Sequence, residues 1–118
     1  MTSNEPATAP APYAVVTTTT DAEGKAHALA ARAVDERLAA CAQVYPVASV
    51  YRWEGAVERA QEWRIDLKTR GELVAALTAR LEEWHDYDTP EVVAVPVVAG
   101  STAYLDWVSA QTDSGTGS

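Results

Sequence analysis

The chain has 118 residues, 47% hydrophobic and 22% charged, with a formal net charge of −8. That suffices for one globular domain with its own core. It excludes the clustered Lys and Arg that nucleic-acid binding by counterion release needs, and no apolar stretch approaches the roughly eighteen residues of a membrane span. The single cysteine, Cys41, excludes an intrachain disulfide or a multi-cysteine metal cluster and fits a reducing, cytoplasmic setting.

In chain order, MTSNEPATAPAP at residues 1–12 holds nothing large to bury and is expected to be a disordered lead. It lacks the basic start and apolar run of a secretory signal, so an unexported protein is expected. YAVVTTTT at 13–20 is β-branched almost throughout and reads as a short buried strand. Thr20 followed by Glu23 has capping-box spacing and predicts a helix over 22–40. Ala26, Leu29, Ala30, Ala33 and Val34 form its apolar side, with Lys25, Arg32, Asp35 and Glu36 opposite. Arg37 falls inside the apolar arc, where its guanidinium must snorkel at the helix end or meet a carboxylate; snorkelling is the expectation.

Val47, Tyr51 and Trp53 then share one parity in a β-branched and aromatic run, and Glu54-Gly55 supplies a turn. Beyond it, Trp63, Ile65 and Leu67 alternate with Arg64, Asp66 and Lys68. A helix would rotate these apolar residues by about 200° at each step and leave no common buried stripe, so the pattern is a strand. The two runs predict a long hairpin, with a bulge or an edge position, and a bend, at Pro46.

Thr69 and Glu72 repeat the capping-box spacing ahead of Leu73, Val74, Leu77, Leu81 and Trp84, which share one helical arc ending near His85. After the polar loop 86–90, EVVAVPVV at 91–98 reads as a short last strand. Ser101 or Thr102 can cap a final helix with Tyr104, Trp107 and Val108 on one face, and residues 112–118 are expected to be a disordered tail. The folded domain is thus expected over 13–111. Its order of strand, helix, two strands, helix and strand is the α+β split βαβ arrangement, helices on one face of an antiparallel sheet. Long strands and four Trp leave more surface than one helix layer covers, which predicts oligomerisation.

No Walker loop, GxGxxG, GxSxG, HExxH or paired-cysteine motif occurs, so a non-catalytic protein is expected. Cys41, where a helix of small residues enters a strand, reads as a small buried hydrophobe, and His27 as a surface or boundary residue. His85, beside Asp86 and Asp88, is the candidate metal ligand because nitrogen and oxygen donors could converge in that loop.

ERLAAC at 36–41, Pro46, Ser49, YRWEG at 51–55, LKT at 67–69 and TPE at 89–91 together resemble the CutA family of divalent-cation tolerance proteins. The resemblance spans nearly all of the chain between its tails. It implies a ferredoxin-like α+β sandwich with a long hairpin between the second and third strands, a short C-terminal helix and assembly as a homotrimer. It further implies a role in the response to divalent metal ions, without a required cofactor. Copper-binding members resemble this chain at Thr18, Trp84 and His85, where they carry a cysteine and two adjacent histidines; only His85 keeps a ligand type on which copper affinity depends. In trimers of this family Tyr51, Trp53, Glu54, Lys68, Tyr87 and Glu91, together with Pro90, map near a cleft between subunits. They are read either as interface packing, with Lys68 neutralising Glu54 or Glu91, or as a small-molecule or ion pocket with an aromatic wall. The alternative function is a PII-like signalling module that binds an effector between subunits, an analogy of architecture.

Overall fold

The computed structural model describes residues 11–113. Tyr13–Thr20 form strand β1, which lies inside a four-stranded sheet of order β2-β3-β1-β4, with β2 at Cys41–Trp53, β3 at Ala56–Arg70 and β4 at Val92–Pro96. All three pairings are antiparallel. Flanked on both sides, β1 is buried at every residue from Val16 through Thr20, as its β-branched run requires.

Helices α1, Glu23–Asp35, and α2, Val74–Trp84, cover one face of the sheet. Leu29 and Ala33 of α1 meet Leu77 and Leu81 of α2 over Val16, Ile65 and Leu67 in a single core, with Trp63 packed against it. Ile65, Leu67, Leu77 and Leu81 are fully buried, which at about 25 cal/mol per Å² of apolar surface makes this layer the main source of stability. The third helix, α3 at Thr102–Gln111, packs on the other face. Tyr13 Oη and Ser109 Oγ lie 2.6 Å apart, and Arg70 Nε donates to Thr112 Oγ1 at 2.8 Å. Helices therefore do not all lie on one face; of Tyr104, Trp107 and Val108, which share a side of α3, only Val108 is buried against the sheet.

Several local expectations are corrected. Neither capping box forms: Thr20 Oγ1 donates to the carbonyl of Ala22, the N-cap of α1, instead of accepting from a helix N–H, and Thr69 Oγ1 donates to Leu38 O. A single 3₁₀ turn, Gly71–Leu73, leads into α2 instead. Helix α1 stops at Asp35 rather than near residue 40 because Arg37 adopts φ 60°. There Leu38 N–H reaches Ala33 O and Arg37 N–H reaches Val34 O, the paired bonds of a Schellman motif. Arg37 thus stands outside the helix, and its Nη1 donates to Gln111 O at 3.1 Å instead of snorkelling.

The β2–β3 register runs without an inserted residue from Cys41↔Lys68 to Trp53↔Ala56, so Pro46 makes no bulge; it is accommodated because β2 is an edge strand. At the turn Glu54 and Gly55 take φ 50° and 82°, the two positive values a type I′ hairpin needs. β4 is shorter than expected, ending at Pro96. Ser101 does cap α3, accepting from Tyr104 N–H at 3.2 Å. Cys41 is only half-buried, on the α3 face across from Lys68.

Most of the lead expected at 1–12 and of the tail expected at 112–118 lies outside the described residues. Within them, Pro12 O accepts from Gly71 N–H, and Thr112 is 3% exposed, so the packed chain extends one residue past the expected end.

Candidate functional site

Paired residues in an antiparallel ladder share a face, so the register places Glu62, Ser49 and Tyr51 on the sheet face opposite α1 and α2. There the β2–β3 hairpin runs well past the end of β1, whose last pair is Thr20↔Trp63. The loop from α2 to β4 folds back over this shelf, and between the two lies a cavity of about 540 Å³. Tyr51, Trp53 and Tyr87 make its aromatic walls. Glu62, Asp88 and Glu91 supply carboxylates, and Thr19, Ser49 and Thr89 supply hydroxyls.

Three anchors hold the loop. The His85 ring is fully buried; its Nε2 donates to Thr19 O at 2.7 Å and its Nδ1 accepts from Tyr87 N–H at 3.0 Å, which selects the Nε2–H tautomer. Lys25 Nζ bridges Asp21 at 2.8 Å and Asp86 at 2.6 Å, tying the loop to the start of α1. The bond to Lys25 holds the Asp86 carboxyl below its usual range, and the bonds to Asp21 and Asp86 hold the Lys25 ammonium above its own. Tyr87 Oη donates to Glu62 Oε2 at 2.9 Å. Burial first, and that bond second, push the Tyr87 phenol above its ordinary range. The anchors reach β1 through the Thr19 carbonyl, α1 through Lys25 and β3 through Glu62, so the loop's position depends on tertiary contacts as well as on its own His85.

Of the residues singled out from sequence, Tyr51, Trp53, Tyr87 and Glu91 line this one cavity within a single chain. Glu54 sits in the hairpin turn beyond it. Lys68 lies at the opposite end of the sheet, paired with Cys41 and Val15, where Nζ donates to Gln43 Oε1 at 2.8 Å and stands 5.8 Å from the Tyr104 ring. In one chain it neutralises neither Glu54 nor Glu91. Sequence reasoning missed Glu62 and considered Asp88 only as an oxygen donor beside His85. Glu62 shares its parity with Arg64, Asp66 and Lys68, the only hint that it faces the same side; its burial to 9% exposure depends on Tyr87 arriving from another element.

The residues at the copper-like positions do not fit a copper site. Both His85 nitrogens are occupied by backbone groups. Thr18 is buried on β1, and the guanidinium carbons of Arg32 and Arg80 lie over the Trp84 ring, 4.4 and 5.3 Å from its centroid. Among the described residues no group of three His, Cys, Asp or Glu is close enough to hold a metal ion.

Also among the described residues, no helix is long and apolar enough to cross a membrane. The family profile of the CutA1 divalent ion tolerance protein matches residues 14–111. The chain is 43% identical over 97 residues to a divalent-cation tolerance protein CutA of Escherichia coli, covering 81% of this chain and 87% of that protein. It is 39% identical over 99 residues to the Thermus thermophilus protein of that name, covering 83% and 96%. A chloroplastic CutA of Arabidopsis thaliana is 44% identical over 85 residues, which cover 71% of this chain; the match spans about half (47%) of that plant protein. In three dimensions the fold is similar to CutA1 of Oryza sativa, with TM-score 0.84 at 38% identity, covering 88% of this chain and 96% of that one. A protein of Archaeoglobus fulgidus, described as a periplasmic divalent cation tolerance protein CutA, also has TM-score 0.84, at 31% identity, covering 86% and 99%. With nearly every described residue inside the matched profile and the same fold in its relatives, the chain belongs to the CutA1 divalent ion tolerance family.

Proposed function

We propose that this protein is a non-catalytic homotrimer with a ferredoxin-like subunit that takes part in the cytoplasmic response to divalent metal ions, and that the cavity under the 85–91 loop is its working site. The observation that carries the assembly is the hairpin: Val50, Trp53 and Val57 are 51 to 60% exposed on it, while Val93 and Val95 are similarly exposed on the edge strand β4. Such apolar strand surface is covered in solution by pairing with another chain. A second copy is also the only means of bringing Lys68 beside Glu54, since one hairpin holds them apart. Sedimentation equilibrium should return three times the 12.6 kDa chain mass. A folded monomer at micromolar concentration would overturn the assembly.

In this reading a metal ion is an accessory contact and no required cofactor. Calorimetry with Cu(II) on the wild type and His85→Ala measures it: unchanged affinity excludes His85 as a ligand. The cavity itself favours a second reading, a signalling module that binds a small effector, because it is roomy and aromatic-walled while its carboxylates are too dispersed to chelate one ion. Neither reading uses nucleic acid or a membrane as partner.

A further inference from the structure

We infer that this chain is closed to metal ions at the position where copper-binding members of its family hold them, and that a metal-free clasp of Trp84, Arg32, Arg80 and Glu36 stands in that place. Every contact concerned lies within one chain, on the α1/α2 side of the sheet and away from the hairpin and β4 surfaces of the proposed assembly. A transition metal needs lone pairs that converge on one point. Of the three positions, Trp84 offers none, because an indole nitrogen is a donor only. His85 offers none that is free: Nε2 carries the proton given to Thr19 O, and the Nδ1 lone pair accepts Tyr87 N–H. To ligate through either nitrogen, the fully buried ring must give up a bond of 2.7 or 3.0 Å and release the loop it anchors. Thr18 Oγ1, buried and without a hydrogen-bond partner among the described residues, is the one unused lone-pair donor at these positions, and a neutral hydroxyl oxygen is a hard ligand unsuited to copper.

Charge acts in the same direction. The guanidinium groups that Arg32 of α1 and Arg80 of α2 hold over the Trp84 ring keep their charge at any working pH. Glu36, at the C-cap of α1, joins the two: its Oε2 lies 3.4 Å from Arg32 Nε and its Oε1 3.0 Å from Arg80 Nη2. One carboxylate thus ties both helices over an indole whose face itself attracts guanidinium. A cavity of about 240 Å³ borders Trp84 and His85 and is lined also by Lys25, Arg32 and Asp86. Asp86 is already bonded to Lys25 at 2.6 Å, so an entering divalent ion meets two cations and a carboxylate that is taken. The end of α2, and with it the 85–91 loop, is therefore held by organic groups at any metal supply. An accessory metal contact, and any response of this chain to divalent ions, then lies elsewhere.

The test uses the full-length protein in its native assembly, freed of metal with a chelator. Zn(II) is a diamagnetic ion that imidazole also ligates. Nitrogen NMR during its titration should leave the His85 ring unmoved, with Nε2 protonated and Nδ1 not. Excess Cu(II) should not raise the thermal midpoint, as an ion bound to the folded state would. Glu36→Gln should lower that midpoint by roughly 2–4 °C, equally with and without Cu(II). Copper held at His27 or at the amino terminus would leave the His85 signals in place and so agrees with closure. Movement of the His85 nitrogens with Zn(II), or a midpoint raised by Cu(II) in the wild type but not in His85→Ala, would overturn closure. Should His85→Ala fail to fold, the NMR titration of the wild type decides alone. A Glu36→Gln protein as stable as the wild type would overturn the clasp.

Discussion

His85 and Tyr87 fix one loop by different chemistry, and their consequences separate with pH. Tyr87 keeps its proton more tightly in the folded chain, through burial and its bond to Glu62. A phenol whose folded pKa is raised contributes stability that is complete below the unfolded value of about 10 and is lost as pH rises through the folded value. Tyr87→Phe should therefore lower stability by roughly 1–2 kcal/mol at neutral pH, the scale of a hydrogen bond to a charged, partly buried group. It should also flatten the decline above about pH 10. Denaturant unfolding of both proteins across that range checks this; an alkaline limb unchanged in the variant would assign the decline to another phenol, such as Tyr45, whose bond to Asp66 raises it too. His85 acts by shape, because its two nitrogens join β1 to the loop that carries Tyr87, Asp88 and Glu91.

Among elements, the hairpin bears most on the site. Its strands are paired over their whole length, so the direction of Tyr51 and Trp53 depends on the register, and the register on the two-residue turn. Glu54 holds φ 50°, a conformation that Asn accepts with less strain. Glu54→Asn should raise unfolding free energy by about 0.5 kcal/mol, read from the denaturation midpoint. A fall instead would show that the Glu54 carboxylate makes a contact across the assembly. α1 ends in the same left-handed conformation at Arg37, and the guanidinium bond to Gln111 O links that end to α3, so two helices on opposite faces of the sheet are tied through one side chain.

For the molecule as a whole, its unbalanced surface is its most informative property. The α1/α2 layer buries one face around Ile65 and Leu67, but the outer hairpin and β4 keep valine and tryptophan in water. Val95 is 55% exposed on the edge strand, opposite Val15 in the ladder. A charge there blocks strand addition at little cost to a chain in which it remains exposed. Val95→Lys should shift sedimentation toward the monomer while leaving the circular dichroism spectrum of the fold unchanged. A variant that sediments like the wild type would place the contact of the proposed assembly on the hairpin face instead.

The sequence by itself determined the strands and helices, because period-two and helical apolar patterns are local and were strong at 13–20, 63–67 and 73–84. It also placed four cavity residues, Tyr51, Trp53, Tyr87 and Glu91, through a family resemblance carried by short motifs. It misjudged how both helices are capped and where α1 ends, since a Thr hydroxyl can serve a cap or a carbonyl elsewhere equally well, and local spacing does not say which. Only the tertiary structure decided that Glu62 is buried against Tyr87, that both His85 nitrogens are engaged by backbone, and that Lys68 sits at the far end of the sheet. Those outcomes depend on register and on a loop crossing from another element, contacts separated by 25 residues or more in the cases of Tyr87 with Glu62 and His85 with Thr19. No periodicity along the chain encodes a meeting at that distance, because it is created by the fold that the periodicity builds.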